Sequence, residues 1–263
     1  MHLKAEDLKR VVKEKYGQIA GQSSEKKSCG CGPLCCGPEA DYTIFSENYS
    51  DRSGYHPEAD LGLGCGIPTD FAGIKQGDHV LDLGSGAGND CFVARSLVGE
   101  TGRVTGIDFT EQMIDKAREN CRKLGYDNVE FVSGDIEQMP LPDNSFDVVI
   151  SNCVLNLVPG KSKAFNEIFR VLRPGGHLCV SDVVIKGSLP EKLRKDAEMY
   201  AGCVSGASEM SDYIGLIENS GFRNIRIHKQ KEIGLPDALI SEFGKPDKET
   251  GIFSITVSAH KPV

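Results

Sequence analysis

Ten cysteines and no tryptophan stand in this chain of 263 residues, and the thiols differ in their surroundings. Cys29, Cys31, Cys35 and Cys36 form a C-x-C-x₃-C-C cluster in a stretch rich in Gly, Ser and Pro, a composition that rules out a helix interior or a central strand. Cys65, in DLGLGCGIPTD, and Cys203, in YAGCVSGA, stand in glycine-rich loops that offer no apolar face for a thiol to join. Cys153 follows an apolar run in DVVISNCVLN, beside Asn152. Cys91 and Cys121 fall in helical stretches and Cys179 alternates within HLCVSDVVI, positions where a thiol serves as a small buried hydrophobe. Ten is an even count, but the cysteine content is far below that of a small disulfide scaffold. In a reducing compartment such a cluster binds a soft ion or does redox chemistry. Zinc is one candidate for the four-thiol cluster, which nevertheless lacks the paired C-x₂-C knuckles of a zinc site.

The second constellation is VLDLGSGAGND, where Gly84, Ser85 and Gly86 let backbone approach a ligand between a strand and a helix. A dinucleotide fingerprint needs a third glycine at the position held by Asn89; the extra glycine, Gly88, falls one residue early. Asp108 ends the next strand 24 residues after Gly84, where its two oxygens suit a pair of ribose hydroxyls. No His/Asp pair suited to general-base work accompanies these groups.

The elements that position them follow from periodicity. Leu8, Val12, Tyr16 and Ile19 predict an amphipathic helix over 3–20, and residues 41–77 read as irregular. Strands at 80–83, 103–108, 129–133, 147–151 and 177–185 alternate with helices at 89–98, 110–124 and 161–172. The second helix carries Thr110 as N-cap and Gly125 as its stop; the third is ended by Arg173-Pro174-Gly175-Gly176. Helices near 190–201 and 209–220 and strands at 222–230 and 252–260 complete the pattern. The expected fold is α/β, a doubly wound, mostly parallel sheet. Residues 1–77 would form an N-terminal helix and cysteine-bearing cap, 78–185 the core, and 186–263 a segment completing the sheet.

Composition narrows the partners. With 39% hydrophobic and 26% charged residues the chain is an ordinary globular one. A net charge of −8 argues against nucleic acid, no apolar run reaches the ~18 residues of a membrane span, and MHLKAEDLKR lacks a signal-peptide core, so a cytosolic, monomeric protein is expected.

The G-x-G-x-G turn after Asp82, together with Asp108, GDIEQMPLPDNSFD (134–147) and VLRPGG (171–176), resembles Rossmann-like S-adenosylmethionine (SAM) methyltransferases. That resemblance implies cofactor contacts from Asp82, Gly84, Ser85, Gly86, Asp108 and Phe109, adenine binding by Asp135 and Ile136, and further contacts from Asn152 and Leu157. After the fourth strand the Asn/Asp-Pro-Pro-aromatic run of base and glutamine methylating enzymes is absent; a cysteine stands there instead. SNCVLNLVPGK, DLGLGCGIP, YAGCVSGA and LVGETGRVTGIDFTEQM resemble arsenite methyltransferases over roughly residues 40–260. One departure is Leu63-Gly64, where some members place a tyrosine two residues before the cysteine.

By this resemblance Cys65, Cys153 and Cys203 are ligands of arsenite, or of arsenite delivered as its thiol conjugate, and Cys36 is the fourth catalytic cysteine. Trivalent arsenic is soft and prefers thiolates, and three sulfurs leave its lone pair free to attack a sulfonium methyl without a general base. Each transfer raises arsenic from +3 to +5; the resemblance implies that protein cysteines return the electrons, Cys36 pairing with Cys65, and that an external thiol reductant of the thioredoxin or glutathione type resets them. The rival readings are a C- or O-methyltransferase of the quinone or sterol type, and a non-enzymatic protein that sequesters arsenic or metal.

Overall fold

The computed structural model describes residues 5–21, 47–187, 206–233 and 251–263. Cys29, Cys31, Cys35, Cys36 and Cys203 lie outside the described residues, as does the helix expected near 190–201. After helix α1 (Ala5–Gly21) come β1 (His79–Leu83), α2 (Asn89–Val98), β2 (Arg103–Asp108), α3 (Glu111–Leu124), β3 (Val129–Ser133) and β4 (Phe146–Asn152). The chain continues with α4 (Lys161–Val171), β5 (Leu172–Lys186), β6 (Ser208–Glu209), α5 (Met210–Asn219), β7 (Arg223–Ile233) and β8 (Gly251–His260). The sheet order is β3-β2-β1-β4-β5-β8-β7, with β6 paired to β5. Strands β1 to β5 run parallel, and β8 and β7 extend them antiparallel.

Both faces of β1 are covered, which is why HVLDL reads as a nearly continuous apolar run. Leu81 and Leu83 pack with Phe165, Ile168 and Tyr213 of α4 and α5, while Val80 packs with Phe92, Ala94 and Ile114 of α2 and α3. In α3, Met113, Ala117 and Cys121 are buried as their spacing implies, and Gly125 stops the helix at φ +68°. Thr110 occupies the N-cap position, but its side chain makes no capping hydrogen bond.

One boundary differs from the expectation. Arg173-Pro174-Gly175-Gly176 follows the end of α4 as expected, but the fifth strand starts before His177, because β5 begins at Leu172. Phe146 pairs with Leu172 and Val148 with His177, so the four residues bulge out between them, with Gly175 at φ +78°. The chain end brackets the bulge, since Lys261 N–H donates to Gly176 O at 2.8 Å. Strand order reverses between β1 and β4, and a ligand cleft is expected beyond the carboxyl ends of such strands. Helix α1 lies there: Leu8, Val12 and Tyr16 pack on the cluster that holds Cys65, Cys153, Phe109 and Leu157. Among the described residues no helix is long and apolar enough to cross a membrane.

Candidate active site

The cleft is built first by the turn after β1. Gly84 N–H and Ser85 N–H both donate to Ile107 O, at 2.7 and 3.0 Å, which folds the turn back over β2. Gly84 sits at φ +65°, and a Cβ there would come within 2.4 Å of Val154. Gly88, the glycine that falls one residue early, is the N-cap of α2 at φ +99°; a Cβ on it would meet Phe92 at 2.8 Å and Phe131 at 3.0 Å. Close helix packing is therefore achieved at Gly88 rather than at position 89. Asp108 closes the rim, its carboxylate accepting from Gly86 N–H at 3.1 Å and Thr110 N–H at 2.8 Å.

Asp82, Gly84, Ser85, Gly86, Asp108, Phe109, Asp135, Ile136, Asn152 and Leu157 all line this one cleft, with Cys153. Its polar groups fit a nucleoside-bearing ligand. The buried Ser85 Oγ and Asn89 Oδ1 have no hydrogen-bond partner among the described residues, and Gly86 faces open space at φ +51°. Asp135, placed where adenine is expected, also receives Lys9 of α1: Nζ lies 2.6 Å from Asp135 and 2.8 Å from Glu137.

The thiol end lies beside it. Cys65 Sγ, Cys153 Sγ and a carboxylate oxygen of Asp182 lie within 4.8 Å of one another, all three residues buried. Cys153 leaves β4 at φ +59°, a costly conformation for a residue with a Cβ, held by its N–H donating to Ser181 O at 2.8 Å. Cys65 is brought down by Asn152. Its N–H donates to Asn152 Oδ1 at 3.0 Å, while Asn152 Nδ2 reaches Tyr49 Oη (2.7 Å), Gly66 O (2.8 Å) and Asp90 Oδ2 (3.1 Å). A Cβ at Gly64 would lie 2.6 Å from Asn152, and one at Gly66 2.5 Å from Ser181. The glycines around Cys65 thus permit close approach to the sheet edge. Contrary to the sequence reading, Cys65 does join an apolar face, packing with Val12, Val183 and Ile252.

The remaining described thiols are core. Cys91 Sγ donates to Asp82 at 3.2 Å, and burial pushes the Cys179 thiol up to about 12. Burial also raises the cleft acids. Asp82 stands well above the ordinary carboxylate value through desolvation and the neighbouring Asp90 charge, Asp108 is raised by desolvation, Asp90 is pushed to about 6 and Asp182 to about 7. Asp90 has a stability consequence. Its folded value exceeds the unfolded 3.8, so the native state holds the extra proton and the associated stability is lost as pH rises from about 4 to about 6. Asp90→Asn removes that term, so in urea unfolding the variant should gain on wild type by about 2 kcal/mol between pH 4.5 and pH 7.5. Parallel profiles would show that Asp90 is not the group concerned.

Four contributors escaped the sequence reading. Lys9 and Tyr49 carry no local signal, since their partners are 126 and 41 residues away. Asp90 follows the glycine turn by two residues. Asp182 was open to notice as an acid inside the apolar run HLCVSDVVI.

A methyltransferase-domain family model matches residues 74–234. The arsenite methyltransferase of Halobacterium salinarum is 40% identical over 98% of this chain and 67% of its own length. The crystal structure of CrArsM, an arsenic(III) S-adenosylmethionine methyltransferase from Chlamydomonas reinhardtii, superposes with a TM-score of 0.67 and 40% identity, covering 76% of this chain and 68% of that one. The ubiquinone/menaquinone biosynthesis C-methyltransferase UbiE of Escherichia coli, by contrast, matches 50% of the chain, at 42% identity. This chain spans about two thirds of the length of the two arsenic enzymes. With its Rossmann-like SAM cleft and two thiols beside it, the chain belongs to the arsenite methyltransferase family.

Proposed function

We propose that this protein transfers the methyl group of SAM to trivalent arsenic held by the thiolates of Cys65, Cys153 and Cys203. The observation that carries the reading is the meeting of Cys65 and Cys153, 88 positions apart in sequence, within 4.8 Å of each other at the edge of the SAM cleft. A quinone- or sterol-type enzyme has no use for that pair, and a sequestering protein has none for a formed SAM cleft. Ala207, four residues after Cys203, is buried in the same apolar cluster, so the chain tether, at most about 14 Å, is consistent with a third thiol reaching the pair.

When bound, SAM supplies an electrophilic methyl on a sulfonium sulfur. Asp108 would accept hydrogen bonds from its ribose, the Gly84–Gly86 turn would seat its amino-acid end, and Ile136 would pack on its adenine. The thiolates hold arsenic with its lone pair toward the methyl, and the protein contributes mainly positioning. Asn152 serves both halves, clamping the Cys65 loop at the cleft wall. The reading includes Cys36 as the source of reducing equivalents by disulfide formation with Cys65, an external thiol reductant, and a cytosolic setting where such thiols stay reduced.

The decisive experiment incubates purified protein with SAM, a thiol reductant and arsenite, and resolves arsenic species by mass spectrometry. Methylated arsenic is the expected product; turnover of a quinone-like acceptor without it would sink the reading. Cys36→Ser should impair the second methylation more than the first, and equal loss of both steps would contradict its redox role.

A further inference from the structure

Methyl transfer to arsenic relocates a positive charge. The As–C bond forms from the arsenic lone pair while the C–S bond breaks with its electrons going to sulfur, so arsenic becomes cationic as the sulfonium becomes neutral. No proton moves in this step, and the cation is generated among sulfur ligands in an apolar cluster. A charge arising there is costly unless a fixed opposite charge faces it.

Asp182 is placed to be that charge. It is 1% exposed on β5, and one of its carboxylate oxygens lies within 4.8 Å of both Cys65 Sγ and Cys153 Sγ. An atom bonded to both sulfurs is no farther from that oxygen than the sulfurs are, to within a bond length. The donors on the carboxylate among the described residues are all neutral: Asn156 N–H at 2.9 Å and Tyr213 O–H at 2.9 Å on Oδ2, and Val183 N–H at 2.9 Å on Oδ1. Lys161 acts on it only through its field, the ammonium donating instead to Asn156 O and Val158 O. The carboxylate is therefore fixed by dipoles and largely unneutralised, an arrangement that holds a charge in place for a cation that arrives later.

We infer that Asp182 is the electrostatic counter-charge of the reaction, stabilising the cationic methylated arsenic and the transition state that leads to it. This rests on the proposed arsenic site and adds to it a residue that is not a thiol ligand. The test is single-turnover transfer from radiolabelled SAM to protein preloaded with arsenite, with arsenite and SAM affinities measured by equilibrium dialysis and calorimetry. Asp182→Asn should slow the transfer about a hundredfold, the loss typical of one preorganised electrostatic group, with both affinities changed less than about threefold. Asp182→Glu should recover at least about tenfold of that rate, because it restores the charge. If the amide does not fold, Asp182→Ser, smaller and also neutral, gives the same comparison. A transfer rate close to wild type in the neutral variant would overturn the inference, as would an arsenite affinity that falls in step with the rate. Failure of the underlying reading looks different, since the unaltered protein would then form no methylated arsenic at all.

Discussion

Serine in place of Cys153 is expected to lower arsenic methylation by at least about a thousandfold, about 4 kcal/mol of transition-state stabilisation, while SAM still binds. The substitution exchanges a soft donor for a hard one and leaves the shape nearly unchanged. Serine tolerates the left-handed φ of +59° as well as cysteine does, and the N–H bond to Ser181 O is a backbone contact that the side chain does not enter. Folding is therefore retained and the loss reads directly on ligation. Cys203→Ser should behave alike. The check is arsenic speciation beside calorimetric SAM titration; turnover retained in either variant removes that residue from the arsenic site.

Asp108→Ala should weaken SAM by at least about a hundredfold and leave arsenite binding intact. Two hydrogen bonds from ribose to an ionised carboxylate are each worth about 1.5–3 kcal/mol. The substitution also frees Gly86 N–H and Thr110 N–H, which the carboxylate braces at 3.1 and 2.8 Å, so the glycine turn loosens at the same time. Among the described residues Gly86, Asp108 and Thr110 lie outside the cluster that holds Cys65 and Cys153, which is why the two affinities should separate. Joint loss of arsenite and SAM binding would mean that Asp108 supports the fold of the whole cleft rather than one ligand.

Much of this site was legible before any coordinates. The alternation of strands and helices, the turn at Gly84–Gly88 and the acid at Asp108 are local patterns, each spanning a few residues, and each recurs in place. The errors arose where a long-range partner overrides a local signal. The fifth strand reads as starting at His177, yet β5 starts at Leu172, and Lys261, near the end of the chain, brackets Arg173-Pro174-Gly175-Gly176 into a bulge of it. Cys65 reads as a thiol without an apolar neighbour, because Val12, Val183 and Ile252 reach it from distant segments. Likewise Lys9 meets Asp135 across 126 positions, and no window of sequence contains both.

The proposed soft ligands were thus singled out by residue type and immediate context, because thiol chemistry and glycine conformations are properties of single positions. Their assembly was not. That Cys65 and Cys153 meet, that Asn152 ties the Cys65 loop to the strand end, and that Asp182 stands beside both thiols are consequences of how β4 and β5 lie side by side and how the loop before β1 is drawn down on them. Distances between groups remote in sequence are set by packing of the whole sheet, and it is those distances that turn a list of cysteines into a site with a charge facing it.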